Sequence, residues 1–270
     1  MKLKIYGCRG SSPVSRQNSR YGGNTSCMTA ESGGDMLILD AGSGIIALQE
    51  ELFGRSGKSE KPVHILVSHL HLDHIVGLGT FAPAWGADAT AHIYTCSRDS
   101  RPLREQIFGV FSPPYWPVAM TELSGANVIQ VEPNVPFEIG VFTVTPFLAK
   151  HPDKTLSFHV TDGKKSFVHL LDSETSKMNR AEHEELARFC KNTDVVVFDA
   201  AYSVEEYRIY EGWGHSTVAD GVALAAEWNC KHMLFCHLGR HYTDDELDSW
   251  IKDLDGEKFI MSYDGFEMEI

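Results

Sequence analysis

The sequence predicts an α/β fold in which two mixed β-sheets pack face to face and helices cover their outer faces, an αββα sandwich. The first observation behind this is the order of segments: several strand-like runs, then helices, then the same succession again. The second is a set of apolar, β-branched runs, such as His64-Ile65-Leu66-Val67 and Val195-Val196-Val197-Phe198, which read as buried strands. The third is that acids and imidazoles recur directly after such strands, at 69–74, 172, 199 and 237. Strand ends meeting along one edge of a sandwich let a dispersed set of side chains converge on one cleft.

Residues 2–6 alternate polar and apolar as a strand does, and Gly7 to Pro13 is a turn rich in Gly, Ser and Pro. Tyr21-Gly22-Gly23-Asn24-Thr25-Ser26 is a second glycine turn, leading into Cys27-Met28-Thr29-Ala30. Met36-Leu37-Ile38-Leu39-Asp40 is a strand ending in Ala41-Gly42-Ser43-Gly44, and a helix follows to about Phe53. Gly54 to Lys61 is a polar surface loop; the strand at 64–67 comes next, and Gly77 and Gly79 mark a loop feeding a helix. A strand over 91–94 and a helix over 98–109 precede Phe111-Ser112-Pro113-Pro114-Tyr115-Trp116-Pro117-Val118, which is too rigid for helix. That segment is open to two readings, a packed loop or subunit contact, and a wall of a substrate pocket. Further strands are expected at 128–131, 137–148, 156–161 and 166–171, and a helix over 175–190. The strand 195–198 ends at Asp199, and a helix spans about 216–228 with Ser216 or Thr217 as its N-cap. A strand at 232–236, a helix over about 243–254 and two last strands close the chain, with no internal repeat in sequence.

The 270 residues contain no linker-like stretch, so one domain over 1–270 is expected. The net charge of −13 argues against a protein that grips long nucleic acid by neutralising phosphates. Cys8, Cys27, Cys96, Cys190, Cys230 and Cys236 are scattered without a Cys-x-x-Cys pair, which fits thiols in a reducing compartment rather than a disulfide framework. No charged-then-apolar leader opens the chain and no apolar run approaches a membrane span, so the expectation is a cytoplasmic protein without membrane contact.

The chemistry concentrates in Ser68-His69-Leu70-His71-Leu72-Asp73-His74. A lone histidine beside apolar residues is ordinarily a packed core residue, but three imidazoles and a carboxylate this close together have no packing role. Imidazole and carboxylate at such spacing suit zinc or a similar divalent ion. His69, His71 and Asp73 alternate, so one extended segment is expected to aim all three the same way, with His74 directed elsewhere. His151 before Pro152, Asp172 and His237 are further ligand candidates at strand ends.

This His-x-His-x-Asp-His motif, His69, His71, Asp73 and His74, resembles that of the metallo-β-lactamase superfamily. The resemblance implies an αββα sandwich with two divalent metal ions, with zinc expected and manganese or iron as alternatives. It implies that His69, His71 and His151 hold one ion, that Asp73, His74 and His237 hold the other, and that Asp172 bridges them. Lactonases, thioesterases of the glyoxalase II type, β-lactamases and nucleases share the motif. A flavodiiron-type oxidoreductase would carry Glu where His71 stands, which favours a hydrolase.

Other segments are similar to the phosphodiesterase branch, which includes tRNase Z-like enzymes, phosphorylcholine esterase and enzymes opening cyclic nucleotides. These are Gly212-Trp213-Gly214-His215-Ser216-Thr217, Phe198-Asp199-Ala200-Ala201-Tyr202, and Gly7-Cys8-Arg9-Gly10-Ser11-Ser12-Pro13 with the turn at 21–26. The expected reaction is attack of a metal-bridged hydroxide on the phosphorus of a small phosphodiester, such as a cyclic nucleotide. His215 is the candidate general acid and Asp199 its orienting carboxylate, with Asp73 counted both as ligand and as catalytic residue. Asn24, Trp213, Arg240 and His241 are candidate substrate contacts, and Arg9 a further one. The tRNase Z group carries an inserted basic arm that this sequence lacks, so a tRNA 3′-end endonuclease stands as the alternative, as does a carboxyl-ester or lactone hydrolase. The branch also implies a homodimer.

Overall fold

The structure, a computed structural model, describes residues 1–16, 19–54, 59, 61–85, 91–123 and 125–270. Strands β1 (Lys2–Gly7), β2 (Cys27–Ser32) and β3 (Asp35–Leu39) form an antiparallel meander, and β4 (Val63–Leu66), β5 (Ala91–Thr95) and β6 (Asn127–Gln130) add to β3 in parallel. The second sheet repeats this plan. Its β7 (Phe137–Ile139), β8 (Phe142–Leu148), β9 (Leu156–Thr161) and β10 (Ser166–Leu170) are antiparallel, and β11 (Val195–Asp199), β12 (His232–Cys236) and β13 (Phe259–Met261) continue in parallel. The chain then returns to the first sheet, where β14 (Glu267–Glu269) pairs antiparallel with β1, giving two mixed seven-stranded sheets. The repeat is one of topology, which the sequence does not show.

Side-chain alternation along each strand explains the layering. On β3, Leu37 and Leu39 face the core between the sheets, while Ile38 packs outward with Ile45 and Leu48 of helix α1 (Gly44–Phe53). The same outer layer receives Ile75 of α2 (Leu72–Ile75), Ile107 and Phe108 of α3 (Leu103–Phe108), and Met120 of α4 (Met120–Leu123). Behind the second sheet lie α5 (Arg180–Cys190), α7 (Val218–Trp228) and α8 (Asp244–Ile251), while α6 (Val204–Tyr210) lies in the connection between β11 and α7. Leu186, Leu224, Trp228 and Leu247 bury the apolar faces of α5, α7 and α8 there.

Several boundaries differ from the sequence reading, each for a local reason. The helix expected over 98–109 begins at Leu103, because the residue before Pro102 is sterically excluded from helix. Arg98 is instead drawn toward the site edge, donating to the carbonyls of Cys96 and Ser68 at 2.5 and 3.0 Å. The run 137–148 is a hairpin, turned at Gly140 with φ 55°. The helix expected from 175 starts at Arg180, where Asn179 accepts from Ala181 and Glu182 and Glu182 accepts from Asn179 in a reciprocal cap. Thr217, not Ser216, caps α7, and Thr243 caps α8, which ends at Ile251. The segment 27–30, into which the second glycine turn leads, is strand β2, and the helix α6 has no counterpart in the sequence reading. The polar loop expected at 54–61 lies largely outside the described residues.

Among the described residues no helix is long and apolar enough to cross a membrane, and the six cysteines are unpaired and buried. Core and cap contribute on different scales. Phe158→Ala, which empties a fully buried site between the sheets, is expected to cost roughly 3–5 kcal/mol, and Asn179→Ala about 1 kcal/mol, in urea-denaturation measurements.

Candidate metal centre

Parallel pairing sets the location of the site. Strands β4, β10, β11 and β12 all end on one edge, and the residues that follow them carry the titratable groups. After β4 the chain continues through Ser68 and His69 to His71, whose φ of −62° and ψ of 147° make it the N-cap of α2. The motif is therefore not extended throughout, as the alternation suggested. It breaks into a helical turn at Leu72, which stays 54% exposed while Asp73 and His74 turn inward. His69 and His71 fall in one group with His151 and Asp172, and Asp73 and His74 fall in another with His237. Asp73 thus parts company with His69 and His71 because a helix turns about 100° per residue and a strand about 180°.

The second group has a metal-sized interior. His74 Nε2 lies 3.3 Å from His237 Nε2, 3.4 Å from Asp73 Oδ2 and 3.0 Å from Asp172 Oδ2. His237 Nε2 lies 3.2 Å from Asp73 Oδ2 and 3.4 Å from Asp172 Oδ2. Four tetrahedral ligands about 2.0–2.1 Å from one centre stand about 3.3–3.4 Å apart, so these spacings match a tetrahedral zinc set. The other oxygen of Asp172, Oδ1, is 3.6 Å from His69 Nε2, which turns this one carboxylate toward both groups. Moreover, His69 Nε2, His151 Nε2 and Asp172 Oδ2 are buried without a hydrogen-bond partner. Buried polar atoms left this way are rare, and a divalent cation in each group would satisfy them. The residues present fit two ions.

Electrostatics agree with that fit. Burial disfavours charge on His69 and, with His74 beside it, holds its ring well below the usual imidazole range, in the neutral form a metal requires. Burial also opposes ionisation of Asp172, yet His237, His74 and His69 hold its carboxyl well below the usual range. The converse applies to His74 and His237, which burial pushes down and the surrounding carboxylates raise. A cation bound here replaces those protons as the counter-charge.

Groups behind the ligands fix their directions. Asp40, fully buried and at φ 58°, takes His74 Nδ1 at 2.8 Å and the Ser68 backbone N–H at 2.8 Å. A carboxylate on the far nitrogen of a metal-binding imidazole sets its tautomer and orientation. The sequence reading names Asp40 only as a strand end, although its signal is the one that singles out Asp172 and Asp199. Ser11 donates its backbone N–H to Asp73 Oδ2 at 2.6 Å, and a Cβ at Gly10 would stand 2.5 Å from the His237 ring. His71 is the open member of the set, its side chain 47% exposed and its Nε2 2.7 Å from Asp153 Oδ2.

His215 sits against this cluster, its ring stacked on that of His237 at 4.9 Å, and its Nδ1 is 2.8 Å from Asp199 Oδ2. Asp199 is further tied by the backbone N–H groups of Ala201 and Ser173 at 3.0 and 3.3 Å. Burial works against charge on His215, but Asp199 outweighs it with help from Asp172 and Asp73, and the ring is pushed up to about 9.

The other sequence candidates are placed differently. Asn24 is engaged in its turn, its side-chain oxygen accepting from Ser43 Oγ at 3.2 Å and its N–H donating to Asp264. Arg9 is fully buried and donates to the carbonyls of Gly22 and Gly239 and to Ser19. Arg240 is exposed, and His241 pairs with Glu206 at 2.6 Å. Trp213 is 61% exposed, with Tyr210 at its edge, and so is no core aromatic. In the proline segment, Trp116 packs edge-on against Phe111 behind Gly79, while Tyr115 is 81% exposed.

A family model described as the beta-lactamase superfamily domain matches residues 36–238, a span that contains every group of this cluster from Asp40 to His237. Ribonuclease Z of Bradyrhizobium diazoefficiens is 22% identical over 280 residues, covering 83% of this chain and 87% of that protein. Among solved structures, the metallo-beta-lactamase fold protein YhfI from Bacillus subtilis superposes with a TM-score of 0.71 at 19% identity, covering 100% of this chain and 99% of that one. A diphosphatase from the PhnP family does so with a TM-score of 0.73 at 18% identity, covering 100% and 97%.

Two measurements bear on the metal fit. Stripping the protein with a chelator is expected to lower its thermal midpoint, and zinc at about a thousandfold over Kd to restore roughly 4 kcal/mol, read by calorimetry. Asp40→Asn is expected to weaken zinc binding about 10–100-fold with the fold retained, read by isothermal titration.

Proposed function

This chain belongs to the beta-lactamase superfamily domain family and is a hydrolase, and from that premise we propose that it cleaves small phosphodiesters with two divalent ions, zinc in the native protein. His69, His71 and His151 would hold one ion, Asp73, His74 and His237 the other, with Asp172 shared. Bound there, the ions supply Lewis acidity toward a phosphoryl oxygen and acidify water near neutral pH.

The observation that carries the phosphodiester reading is the His215–Asp199 pair, 2.8 Å apart, with the His215 ring stacked on His237 of the cluster. An alkoxide leaving from phosphorus needs a proton, and this pair is built to deliver one. Asp199 engages Nδ1, so the proton to be moved is held at Nε2 of the same ring. Burial opposes charge on the ring, but Asp199 raises it above the usual imidazole range, which favours the charged form that can donate at neutral pH. An ester or lactone hydrolase has no need of such a pair. Trp213, exposed two residues before His215, offers a flat face on which an aromatic or base moiety of the substrate can stack. The named relatives favour a second reading, a tRNA 3′-end endonuclease, since Ribonuclease Z of Haloarcula marismortui aligns over 100% of this chain at 20% identity. The net charge of −13 weighs against a tRNA-sized polyanion.

The deciding assay compares zinc- and manganese-loaded protein on bis-p-nitrophenyl phosphate, 2′,3′- and 3′,5′-cyclic nucleotides, a phosphorylcholine ester, precursor tRNA and a lactone. Lactone turnover without phosphodiester turnover would overturn the proposal, and a preference for precursor tRNA would move it to the second reading. His215→Ala is expected to lower kcat about 10²–10⁴-fold on a phosphodiester with an alkoxide leaving group. The proton donor is lost as pH rises through its folded value, so kcat should fall on the basic side of its profile. Asp199→Asn removes the strongest raising partner, and that basic limb should move to lower pH.

A further inference from the structure

We propose that Glu174 is a positioning residue: its buried carboxylate anchors the loop 212–215 and thereby sets both the direction of the His151 ring and the place of His215. This rests on reading the cluster as a metal site and His215 as its proton donor. Glu174 follows Asp172 by two residues and is 3% exposed. Its Oε1 accepts from the Tyr207 hydroxyl and the Gly212 N–H, both at 2.7 Å, and its Oε2 from the Gly214 N–H at 3.0 Å. All three donors are neutral and come from the segment that leads into His215.

Packing holds that segment only through ring contacts of Tyr210 with Tyr202 and Trp213. Helix α6 has no buried residue, and Glu211, Gly212 and Trp213 are exposed. The chain becomes buried only at Gly214, where the carboxylate catches it. Gly212 and Gly214 both take left-handed φ values, 92° and 91°, which turn their N–H groups inward onto one acceptor. From there the constraint passes to the site. The Gly214 carbonyl accepts from His151 Nδ1 at 3.1 Å, which leaves His151 Nε2 as the free, buried, unpartnered nitrogen. The approach is close, since a Cβ on Gly214 would lie 1.9 Å from His151 Nδ1. The next residue is His215 itself. One short stretch, 172–174, therefore supplies the carboxylate between the two metal groups and the anchor of the loop that closes over them.

Glu174→Gln separates positioning from bulk stability. The side-chain amide has one acceptor oxygen where the carboxylate has two, so its NH₂ must face a backbone N–H and Gly214 is released. Zinc titration into the metal-free protein is expected to show one of the two ions bound about 10–100-fold more weakly than in wild type. The basic limb of kcat should also shift with the displaced His215. Phe158→Ala serves as the comparison, lowering the thermal midpoint without touching the loop, and should leave both zinc affinities unchanged. A Glu174→Gln protein that loses stability while keeping both zinc affinities and the wild-type pH profile would overturn the proposal. If that variant does not fold, Glu174→Asp, which keeps the charge and shortens the reach, is read the same way, and failure of both to fold makes the carboxylate purely structural and overturns it too. Wild-type protein that binds two zinc ions but turns over no phosphodiester would remove the proposed function and leave the zinc titrations to decide on Glu174. Wild-type protein that binds no zinc would remove both.

Discussion

The carboxylate of Asp172 is the constraint on which the site depends. It is 1% exposed, with one oxygen toward His69 and the other toward His74 and His237. A buried carboxylate requires counter-charge, and here every neighbour that can supply it is an imidazole on a different loop. The loops after β4, β10 and β12 must therefore meet at one point, and parallel pairing of β3–β4 and β10–β11–β12 is what brings their ends to one edge. Positive φ at Asp172 and His237, 51° and 60°, shows the backbone turning sharply at the strand ends to aim both side chains inward.

The two sheets share a plan, an antiparallel meander followed by parallel strands, and the plan places an aspartate just after the last meander strand in each. Asp40 in the first sheet and Asp172 in the second are both buried and both left-handed. Their tasks have diverged. Asp172 faces the ligand nitrogens, while Asp40 stands behind His74 and holds its other nitrogen at 2.8 Å. The same edge then carries a third strand-end carboxylate, Asp199, whose partner is the ring of His215. Under the proposed function the three strand-end acids would have three roles: one binds, one orients a ligand, and one charges a proton donor.

Behind these acids lies a layer of backbone contacts. The Ser11 N–H on Asp73 and the Gly214 carbonyl on His151 use main-chain atoms, and the Gly10 approach to His237 needs a residue without a Cβ. Charged side chains that looked available for substrate are absorbed by the same layer. Arg9 is completely enclosed because the carbonyls of Gly22 and Gly239 converge on it, and only the pairing of distant loops creates that enclosure.

By itself the sequence determined the class of fold and the strand ends that carry clustered imidazoles and carboxylates. Short β-branched runs such as 195–198 read as buried strands, and an imidazole–carboxylate cluster as dense as 69–74 has no packing explanation. Helix ends were legible where a side-chain cap stands at the boundary, as at Thr217, and were displaced where a proline or an asparagine cap lay inside the expected span, as at Pro102 and Asn179. Alternation alone put Asp73 beside His69 and His71 while the family resemblance implied their separation; the tertiary structure supplies the reason, a helical turn at 72–75 that packs Ile75 into the outer core and leaves Leu72 to solvent. Only it showed Asp40 and Glu174 behind the site. A hydrogen bond between residues 34 or 40 positions apart, such as Asp40 to His74 or Glu174 to Gly214, leaves no mark on local pattern or propensity until the sheets have brought the two together.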